Sequence, residues 1–338
     1  MVLVTGGAGY IGSHTVVELQ QQGFDVVIVD DLSNSHVNVI DNIEKITGKR
    51  PSFEQFNLSD SAKTAAFFND NSIEAIIHFA AHKYVGESVR EPLMYYQNNF
   101  ASTLNILQAV QKHGIENFVF SSSCTVYGQA DKLPVTEQSP VKPAECPYGN
   151  TKQVTEEILR DICYAVSKLQ VIALRYFNPI GAHNSALIGE LPLGVPQNLL
   201  PYITQTAIGI RDCLQVFGND YNTEDGTCLR DYIHVEDLAK AHVVALNRML
   251  DKKMTNNYEV FNIGTGTPSS VLEVIRSFEK MSNVQLPYKI VGRREGDVEK
   301  IWADTSYANK VLGWKAIRTL DDMTLSAWNW EKALKLRS

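Results

Sequence analysis

The chain opens with a short apolar run, and apolar runs alternate with amphipathic segments through its first half. Met1–Thr5 reads MVLVT, which predicts a buried strand. A helical pattern follows with apolar positions at Val16, Val17 and Leu19, and a second strand is predicted at Asp25–Asp30. This order of strand, helix and strand is typical of a βαβ unit.

Further elements extend the alternation. Strands are predicted at Glu74–Ala80, Asn117–Ser123 and Leu169–Arg175, and long helices at Glu91–His113 and from Pro147 to about Ser167. We therefore expect an α/β fold with a doubly wound parallel sheet, a Rossmann domain. Such sheets bind ligands at the carboxyl ends of their strands, where this chain carries Phe79, Ser123 and Phe177.

The pattern changes after Pro179, where Gly, Pro and Asn become frequent and the alternation weakens. Shorter elements are predicted at Asp231–Arg248, Val260–Gly264, Ser270–Met281 and Thr319–Leu334. We expect a cofactor-binding domain over residues 1–178 and a smaller mixed α/β substrate lobe over residues 179–338, with some segments of the second returning to the first.

Composition and charge narrow the class of protein. Of the 338 residues, 44% are hydrophobic and 20% are charged, which fits a globular enzyme. The net charge of −7 argues against a nucleic-acid surface. We expect no membrane span and no secretory signal, since no apolar run is long enough and the first strand starts at Met1. The five cysteines form no CxxC pair and favour a reducing, cytoplasmic location.

A glycine-rich segment, TGGAGYIG at Thr5–Gly12, joins the first strand to the first helix. Gly6, Gly9 and Gly12 suit a tight turn, a close backbone approach to a pyrophosphate and close helix–strand packing. Asp30 ends the second strand, where an acid binds a ribose 2′-hydroxyl and would repel a 2′-phosphate. The segment predicts an NAD site rather than an NADP site; the alternative is a glycine turn without a ligand.

Tyr148 and Lys152 are four residues apart on a predicted helix, so their side chains share a face. Lowering the pKa of a tyrosine from about 10 to about 7 requires roughly 4 kcal/mol. An ammonium ~5 Å away at an effective dielectric of ~20 supplies about 3 kcal/mol, and the positive ring of a bound nicotinamide would supply the rest. The pair predicts a tyrosine base that helps to oxidise an alcohol; the alternative is a surface helix pair.

Ser123 is the third serine of the run SSSCTVYG, at a predicted strand end. Its hydroxyl would hydrogen-bond the reacting oxygen while Tyr148 moves the proton. The alternative is a serine that satisfies local backbone groups.

Seven segments together carry a family resemblance: TGGAGYIGSH, HFAAHKYVGES, SSSCTVYG, PYGNTK, RYFNPIGAH, LRDYIHVEDL and RREGD. From Val2 to about Trp330 the chain resembles the extended short-chain dehydrogenase/reductase family, and most closely its UDP-galactose 4-epimerase branch. The resemblance implies that Tyr148 takes the C4 hydroxyl proton of a UDP-hexose while hydride passes to NAD. The 4-keto sugar then turns, and hydride returns to its other face.

The resemblance also implies roles for individual residues. Catalysis would use Tyr148, Lys152 and Ser123. The implied cofactor-binding residues are Gly6, Gly9, Tyr10, Ile11, Gly12, Asp30, Asn34, Asn57, Leu58, Phe79, Lys83, Asn98, Tyr148 and Lys152. The implied substrate-binding residues are Ser123, Tyr148, Tyr176, Phe177, Asn178, Asn198, Arg230, Arg294, Asp297 and Ile301. Relatives pair as homodimers through two long helices, here Glu91–His113 and Pro147–Ser167; ordinary packing within one chain is the alternative.

Two positions bear on affinity and specificity. The family often has an acid near the adenine amino group, where this chain has Asn57, whose carbonyl can still accept a hydrogen bond. Ile301 stands at a position that varies in size and is expected to gate substituents at C2 of the sugar. Because isoleucine is smaller than tyrosine, the hypothesis is that N-acetylated UDP-hexosamines are also substrates; the alternative is that Ile301 only packs.

Other functions are weighed against this one. His78 and His82 straddle a strand end, and no carboxylate or thiol cluster completes a metal site. A nucleotide-sugar 4,6-dehydratase usually has an acidic pair where this chain has Cys124 and Thr125. A decarboxylating relative would need a pocket for a C6 carboxylate, and a non-catalytic NAD-binding regulator would commonly lack the tyrosine or the lysine.

Overall fold

A computed structural model of the chain describes residues 1–294 and 298–337. Within these ranges, the strands are β1 (Val2–Thr5), β2 (Val26–Asp30), β3 (Ser52–Gln55), β4 (Ala75–His78), β5 (Asn117–Ser121), β6 (Gln170–Tyr176), β7 (Asn178–Ile180), β8 (Leu214–Phe217), β9 (Leu229–Arg230), β10 (Tyr232–His234), β11 (Tyr258–Ile263), β12 (Ser269–Ser270), β13 (Tyr288–Val291) and β14 (Lys300–Ile301).

The α-helices of the same ranges are α1 (Tyr10–Gln21), α2 (Asn38–Thr47), α3 (Ser61–Asp70), α4 (Val85–Arg90), α5 (Pro92–His113), α6 (Pro147–Ala165), α7 (Leu199–Ala207), α8 (Val235–Leu250), α9 (Val271–Ser282) and α10 (Leu320–Arg337). A 3₁₀ helix covers Cys124–Tyr127 and a π-helical turn covers Ala308–Leu312. No helix in the described part of the chain combines the length and the apolar character that crossing a bilayer requires.

A seven-stranded sheet in the order β11-β6-β5-β4-β1-β2-β3 forms the centre of the fold. All of its neighbouring strands run parallel. The predicted doubly wound parallel sheet is therefore confirmed. The chain proceeds outward from β1 to β3, then returns to β4 on the other side of β1, so the strand order reverses there. The carboxyl ends of β1 and β4 thus frame the crevice in which such folds bind ligands.

The central strands are apolar on both sides because both faces of the sheet are covered. Val2 and Val4 of β1 join one buried cluster, whose other members come largely from α1, α2 and α8. Leu3 points to the opposite face and joins a second buried cluster with residues of α3, α5 and α6. Helices on both faces therefore hold the sheet rigid beneath the crevice.

The long helices lie close to their predicted limits. Proline is the first residue of both α5 and α6, where its missing N–H costs no hydrogen bond. Cys146 precedes α6, and its sulfur accepts a hydrogen bond from the Gly149 N–H at 3.4 Å. The segments α2, β3 and α3 were not predicted. Strand β3 is an edge strand with largely exposed side chains, so it carries no apolar run.

Smaller sheets follow in the second half of the chain. Strand β7 pairs with β10, β8 pairs with β13, and β9 lies between β12 and β14. A third buried cluster packs α7, α9 and α10 together. In contrast, β11 completes the large sheet beside β6, and α8 packs on α1. The predicted boundary between the two lobes at residue 178 stays a prediction. Residues 235–263 follow this boundary in the chain but lie with the large sheet.

Candidate active site

A cavity opens at the carboxyl ends of β1, β2 and β4 and reaches the end of β6. All the residues predicted to bind the cofactor line it: Gly6, Gly9, Tyr10, Ile11, Gly12, Asp30, Asn34, Asn57, Leu58, Phe79, Lys83, Asn98, Tyr148 and Lys152. Tyr176 from β6 lines it as well. The structure thus brings the glycine segment, the acid of β2 and the tyrosine–lysine pair to one cleft.

The glycine turn leaves no room for side chains. A Cβ on Gly12 would lie 2.2 Å from the Gly6 carbonyl oxygen, and one on Gly6 would lie 2.9 Å from the Ala80 nitrogen. Gly6 also has a φ of +67°, which favours glycine. No side chain caps the first turn of α1, whose residues Tyr10, Ile11 and Gly12 line the cavity. Its positive helix end suits a pyrophosphate.

Asp30 is held rigidly at the edge of the cavity. Its carboxylate accepts hydrogen bonds from the Ala8 N–H at 3.1 Å, the Leu32 N–H at 2.9 Å and the Ser35 hydroxyl at 3.0 Å. Burial raises the pKa of Asp30, and these hydrogen bonds act in the opposite direction. A carboxylate with remaining lone pairs in this place fits a ribose diol and disfavours a phosphate on it.

Asn57 lies at the far end of the cavity, where the family resemblance places an adenine contact. Its amide nitrogen donates to Asp31 at 2.7 Å, and its amide oxygen accepts from the Ser59 N–H at 2.8 Å. The oxygen keeps one lone pair. Together the glycine turn, the carboxylate and this amide fit a dinucleotide such as NAD.

Three consecutive serines, Ser121 to Ser123, form hydrogen bonds near the inner end of the cavity. The Ser121 hydroxyl donates to the Tyr176 oxygen at 2.9 Å, and the Ser122 hydroxyl donates to Glu156 at 2.6 Å. The Ser123 oxygen accepts from the Thr125 N–H at 3.2 Å, and Ser123 lies near enough to the Tyr148 phenol to act on its pKa. The end of β5 therefore places a hydroxyl beside the predicted base.

Tyr148 is buried against Tyr95 and Cys146. Burial raises its pKa well above the usual 10, and the hydrogen bond with Ser123 acts in the opposite direction. The Lys152 nitrogen is 5.9 Å from the centre of the Tyr148 ring. The expected lowering of the pKa by this ammonium does not outweigh burial, so the lysine alone does not make Tyr148 a base near neutral pH.

Lys152 is also buried, on the same face of α6. Its ammonium donates to the Ser121 carbonyl oxygen at 2.7 Å and lies 4.8 Å from the centre of the Phe120 ring. Burial lowers its pKa from 10.5 to about 7, and the nearby Glu156 carboxylate acts in the opposite direction. Burial thus shifts both the lysine and the tyrosine toward their neutral forms when only protein surrounds them.

Several predicted substrate residues gather beside β9 and β14 instead of lining the large cavity. Phe177 and Ile301 belong to one buried apolar cluster that also contains Cys124. Ile301 pairs with Arg230 across the parallel strands, and the Asn178 N–H donates to the Asp231 carbonyl oxygen at 3.0 Å. Since Cys124 follows Ser123, this group adjoins the catalytic end of the cleft.

The remaining predicted substrate residues are more dispersed. Asn198 precedes α7 and donates its amide to Glu190 at 2.5 Å. Arg294 is exposed, with its guanidinium 5.8 Å from the centre of the Phe217 ring. Asp297 lies outside the residues that the structure describes. The predicted roles of all these residues stay predictions.

The cavity also contains residues that were not predicted: Asp31, Ser33, Ser35, Phe56, Ala80, Ala81, His82, Tyr84, Glu87, Met94 and Ser102. Several follow β4 directly, so the rule that ligands bind at strand carboxyl ends would have indicated them. The residues from α4 and α5 gave no such signal, because only the tertiary fold brings these helices to the cleft.

His78 and His234 have structural partners. His78 bonds the Thr5 hydroxyl at 2.8 Å through one ring nitrogen and the Thr103 hydroxyl at 3.1 Å through the other. His234 precedes α8 and accepts from the Glu236 N–H at 3.1 Å. In residues 1–294 and 298–337, no group of three or more His, Cys, Asp or Glu side chains is arranged to hold a metal ion.

The chain is similar to known proteins over nearly its whole length. A family model described as GDP-mannose 4,6 dehydratase matches residues 3–326. UDP-glucose 4-epimerase of Dictyostelium discoideum is 50% identical over 330 residues, which cover 98% of this chain and 95% of the relative.

Solved structures agree with this similarity. UDP-glucose-4-epimerase of Stenotrophomonas maltophila, solved with bound NAD and formylated UDP-arabinopyranose, superposes with a TM-score of 0.96 at 49% identity, covering 100% of this chain and 99% of that one. UDP-glucose 4-epimerase of Bifidobacterium longum, in complex with NAD⁺ and UDP, gives a TM-score of 0.94 at 47% identity, covering 98% of both chains.

The buried ammonium of Lys152 predicts a pH-dependent stability. Because its folded pKa is about 7 and its unfolded pKa is 10.5, the unfolded chain binds more protons between these values. This group therefore lowers the free energy of unfolding most below pH 7, and the penalty fades as pH rises toward 10.5. We expect Lys152→Met, measured by urea unfolding of nucleotide-free protein, to be more stable than wild type at pH 6. The gain should shrink at pH 9; a gain independent of pH would contradict the burial of a charge.

Proposed function

Because the chain belongs to the UDP-glucose 4-epimerase family of extended short-chain dehydrogenases/reductases, we propose that it interconverts UDP-glucose and UDP-galactose with NAD as its bound cofactor. The observation that carries the proposal is that Tyr148 and Lys152, with Ser123 near the phenol, meet in one cleft with the glycine turn and Asp30. The presence of NAD in the related structures supports the cofactor.

Tyr148 is the proton acceptor in this proposal. A bound NAD would supply the hydride acceptor and then the hydride donor for C4 of the hexose, on opposite faces of the same carbon. Burial alone holds the phenol neutral, so a positive charge beside it is needed to favour the phenolate. Ser123 hydrogen-bonds the same oxygen and keeps the C4 hydroxyl and the phenol aligned for the proton transfer.

Lys152 stabilises the phenolate by its charge and is fixed by its bond to the Ser121 carbonyl oxygen. The second proton transfer reverses the first, so Tyr148 then acts as the acid. Because both transfers use the same phenol, one buried pair serves both directions of the reaction.

The diphosphate of the substrate has to be bound firmly and its sugar loosely. Arg230 and Arg294 are proposed to hold the diphosphate, since guanidinium groups pair with phosphate oxygens. Asn178 and Asn198 are proposed to contact the nucleotide or the sugar. The sugar itself has to turn between the two hydride transfers, so tight contacts around the ring would block the reaction.

A 4,6-dehydratase is the second candidate, favoured only by the description of the matching family model. Elimination of water needs a further acid and base beside the sugar. The residues after Ser123 are Cys124 and Thr125, and burial raises the pKa of the Cys124 thiol to about 12. Neither supplies an acid–base pair near neutral pH, so the epimerase is the better assignment.

We further propose a homodimer formed through α5 and α6, which pack together and expose apolar side chains. Leu93 is 80% exposed and Tyr164 is 94% exposed. A second copy of the chain would cover these two side chains. Sedimentation equilibrium giving a monomer at micromolar concentration would refute the dimer. A cytoplasmic location is proposed on the five free cysteines.

An NMR assay of purified protein with UDP-galactose and no added NAD tests the function. Appearance of UDP-glucose would establish 4-epimerisation and a cofactor retained through purification. A 4-keto-6-deoxy product from UDP-glucose would instead favour the dehydratase.

Replacing Tyr148 with Phe removes the proposed base and keeps the ring. We expect kcat to fall by about 10²–10⁴-fold, with NAD content per chain unchanged. Both are measured on the same preparations, by coupled assay and by chromatography of the released nucleotide. Turnover within tenfold of wild type would contradict the assignment of the base.

The size of the Ile301 side chain predicts that N-acetylated UDP-hexosamines are substrates. Its side chain is 6% exposed, in the apolar cluster with Phe177, and it is smaller than tyrosine. We expect wild type to epimerise UDP-N-acetylglucosamine at more than a thousandth of its UDP-glucose rate. Ile301→Tyr should lower only the N-acetylhexosamine rate, by about 10-fold or more. Equal losses on both substrates would mean that Ile301 only packs.

A further inference from the structure

A buried ion pair lies directly behind the catalytic helix face. Glu156 follows Lys152 by one turn of α6, and its side chain is 1% exposed. Its two carboxylate oxygens accept from the Arg175 guanidinium of β6, at 2.9 Å from Nε and 2.5 Å from Nη2. A bidentate pair of this kind fixes the relative position of the two elements.

The same carboxylate also reaches the serine run. The Ser122 hydroxyl donates to Glu156 at 2.6 Å, between Ser121, whose carbonyl accepts from Lys152, and Ser123, which acts on the pKa of Tyr148. One side chain of α6 therefore fixes the strand end that carries both partners of the catalytic pair.

Arg175 continues the network away from the cleft. Its Nη1 donates to the Tyr127 oxygen at 3.0 Å, and Tyr127 donates to the Asn262 amide oxygen at 2.6 Å. The Asn262 amide nitrogen donates to the Val135 carbonyl oxygen at 3.0 Å. Strand β11, the 3₁₀ helix and β6 are thereby linked to Glu156, so the carboxylate has little freedom to move.

Glu156 is also the anion that acts on the charge of Lys152. The other groups that face this ammonium are Tyr148 on the same helix, His78 on β4, and the Ser121 carbonyl and Phe120 ring on β5. Burial lowers the pKa of His78 to about 3, so it stays neutral. The cations that face the Glu156 carboxylate are Arg175 and, at 3.9 Å from one of its oxygens, Arg160. Glu156 is the group that opposes the effect of burial on Lys152.

We propose that Glu156 is a positioning residue of the reaction, which holds the serine run in register with α6 and keeps the Lys152 ammonium charged. It touches neither the substrate nor the cofactor and acts through Ser122 and Lys152. The inference rests on the proposed epimerase activity, in which a charged Lys152 stabilises the Tyr148 phenolate.

The proposal predicts the sign of a pH effect. Activity falls as pH rises through the pKa of Lys152, because the neutral amine no longer stabilises the phenolate. Removing the negative charge of Glu156 lowers this pKa, since the nearby anion stabilises the ammonium. The alkaline limb of the kcat profile should therefore move to lower pH.

The chain offers a matched control for the loss of a buried ion pair. Glu259 accepts from Arg248 at 2.7 Å and 3.1 Å, and both side chains are at most 9% exposed. Glu259 otherwise accepts from Thr255 and contacts no part of the serine run. Glu259→Gln thus breaks a similar pair without the proposed connection to Lys152.

The experiment compares NAD-containing wild type, Glu156→Gln and Glu259→Gln. For Glu156→Gln we expect the alkaline limb to move down by about one pH unit and kcat to fall by up to about 10-fold at pH 8.5. The calorimetric Kd for UDP and the NAD content should stay within twofold of wild type. Glu259→Gln should lower the urea midpoint but leave the pH profile unchanged.

Two outcomes would overturn the inference: equal pH profiles for the two variants, or a Glu156→Gln loss that comes entirely from missing NAD. Inactivity of wild type would instead refute the proposed function. If Glu156→Gln does not fold, Glu156→Gln combined with Arg175→Met removes both charges and avoids an unpaired buried arginine. The alkaline limb should still move to lower pH in this double variant, and an unmoved limb would refute the role of Glu156.

Discussion

A buried ammonium beside a buried phenol is the constraint on which the rest of the site depends. Burial shifts each group toward its neutral form, because it lowers the pKa of Lys152 and raises that of Tyr148. The pair can accept a proton from the substrate only if the surrounding protein and the cofactor favour the charged forms of both groups. The serine run and Glu156 supply the protein's share of this stabilisation, and both belong to elements packed on the central sheet.

The position of the pair follows from the order of the strands. Because β4 and β5 lie on one side of β1 and β2 on the other, the glycine turn and the serine run lie at the same edge of the sheet. The first turn of α1 then faces one part of the cleft and the first turn of α6 faces another. The dinucleotide that this arrangement fits would reach from Asp30 to Tyr148, which are far apart in sequence.

Sequence reasoning was sufficient where the local pattern carries the information. The apolar runs gave the central strands, the two prolines gave the starts of α5 and α6, and the glycines and Asp30 indicated residues that line the cleft. Strand β3 was missed because an exposed edge strand has no apolar pattern. The balance between the Tyr148 and Lys152 pKa values was missed too, since burial is a property of the tertiary fold.

The substrate side of the site depends on a tertiary connection that no local pattern shows. Asp231 is fully buried and accepts from the Thr265 N–H at 2.8 Å, the Gly266 N–H at 3.0 Å and the Ala303 N–H at 3.2 Å. A Cβ on Gly264 would lie 2.4 Å from this carboxylate, so only glycine allows the close approach.

Asp231 directly follows Arg230. Its hydrogen bonds therefore connect this part of the chain to the segments that follow β11 and β14. Because β11 belongs to the large sheet, Arg230 and Ile301 are held in fixed register with the strand ends that carry Tyr148's partners. A rigid support of this kind suits a firm grip on the diphosphate. The freedom that the sugar needs for its turn must then come from the space around the ring, not from movement of the protein beneath it.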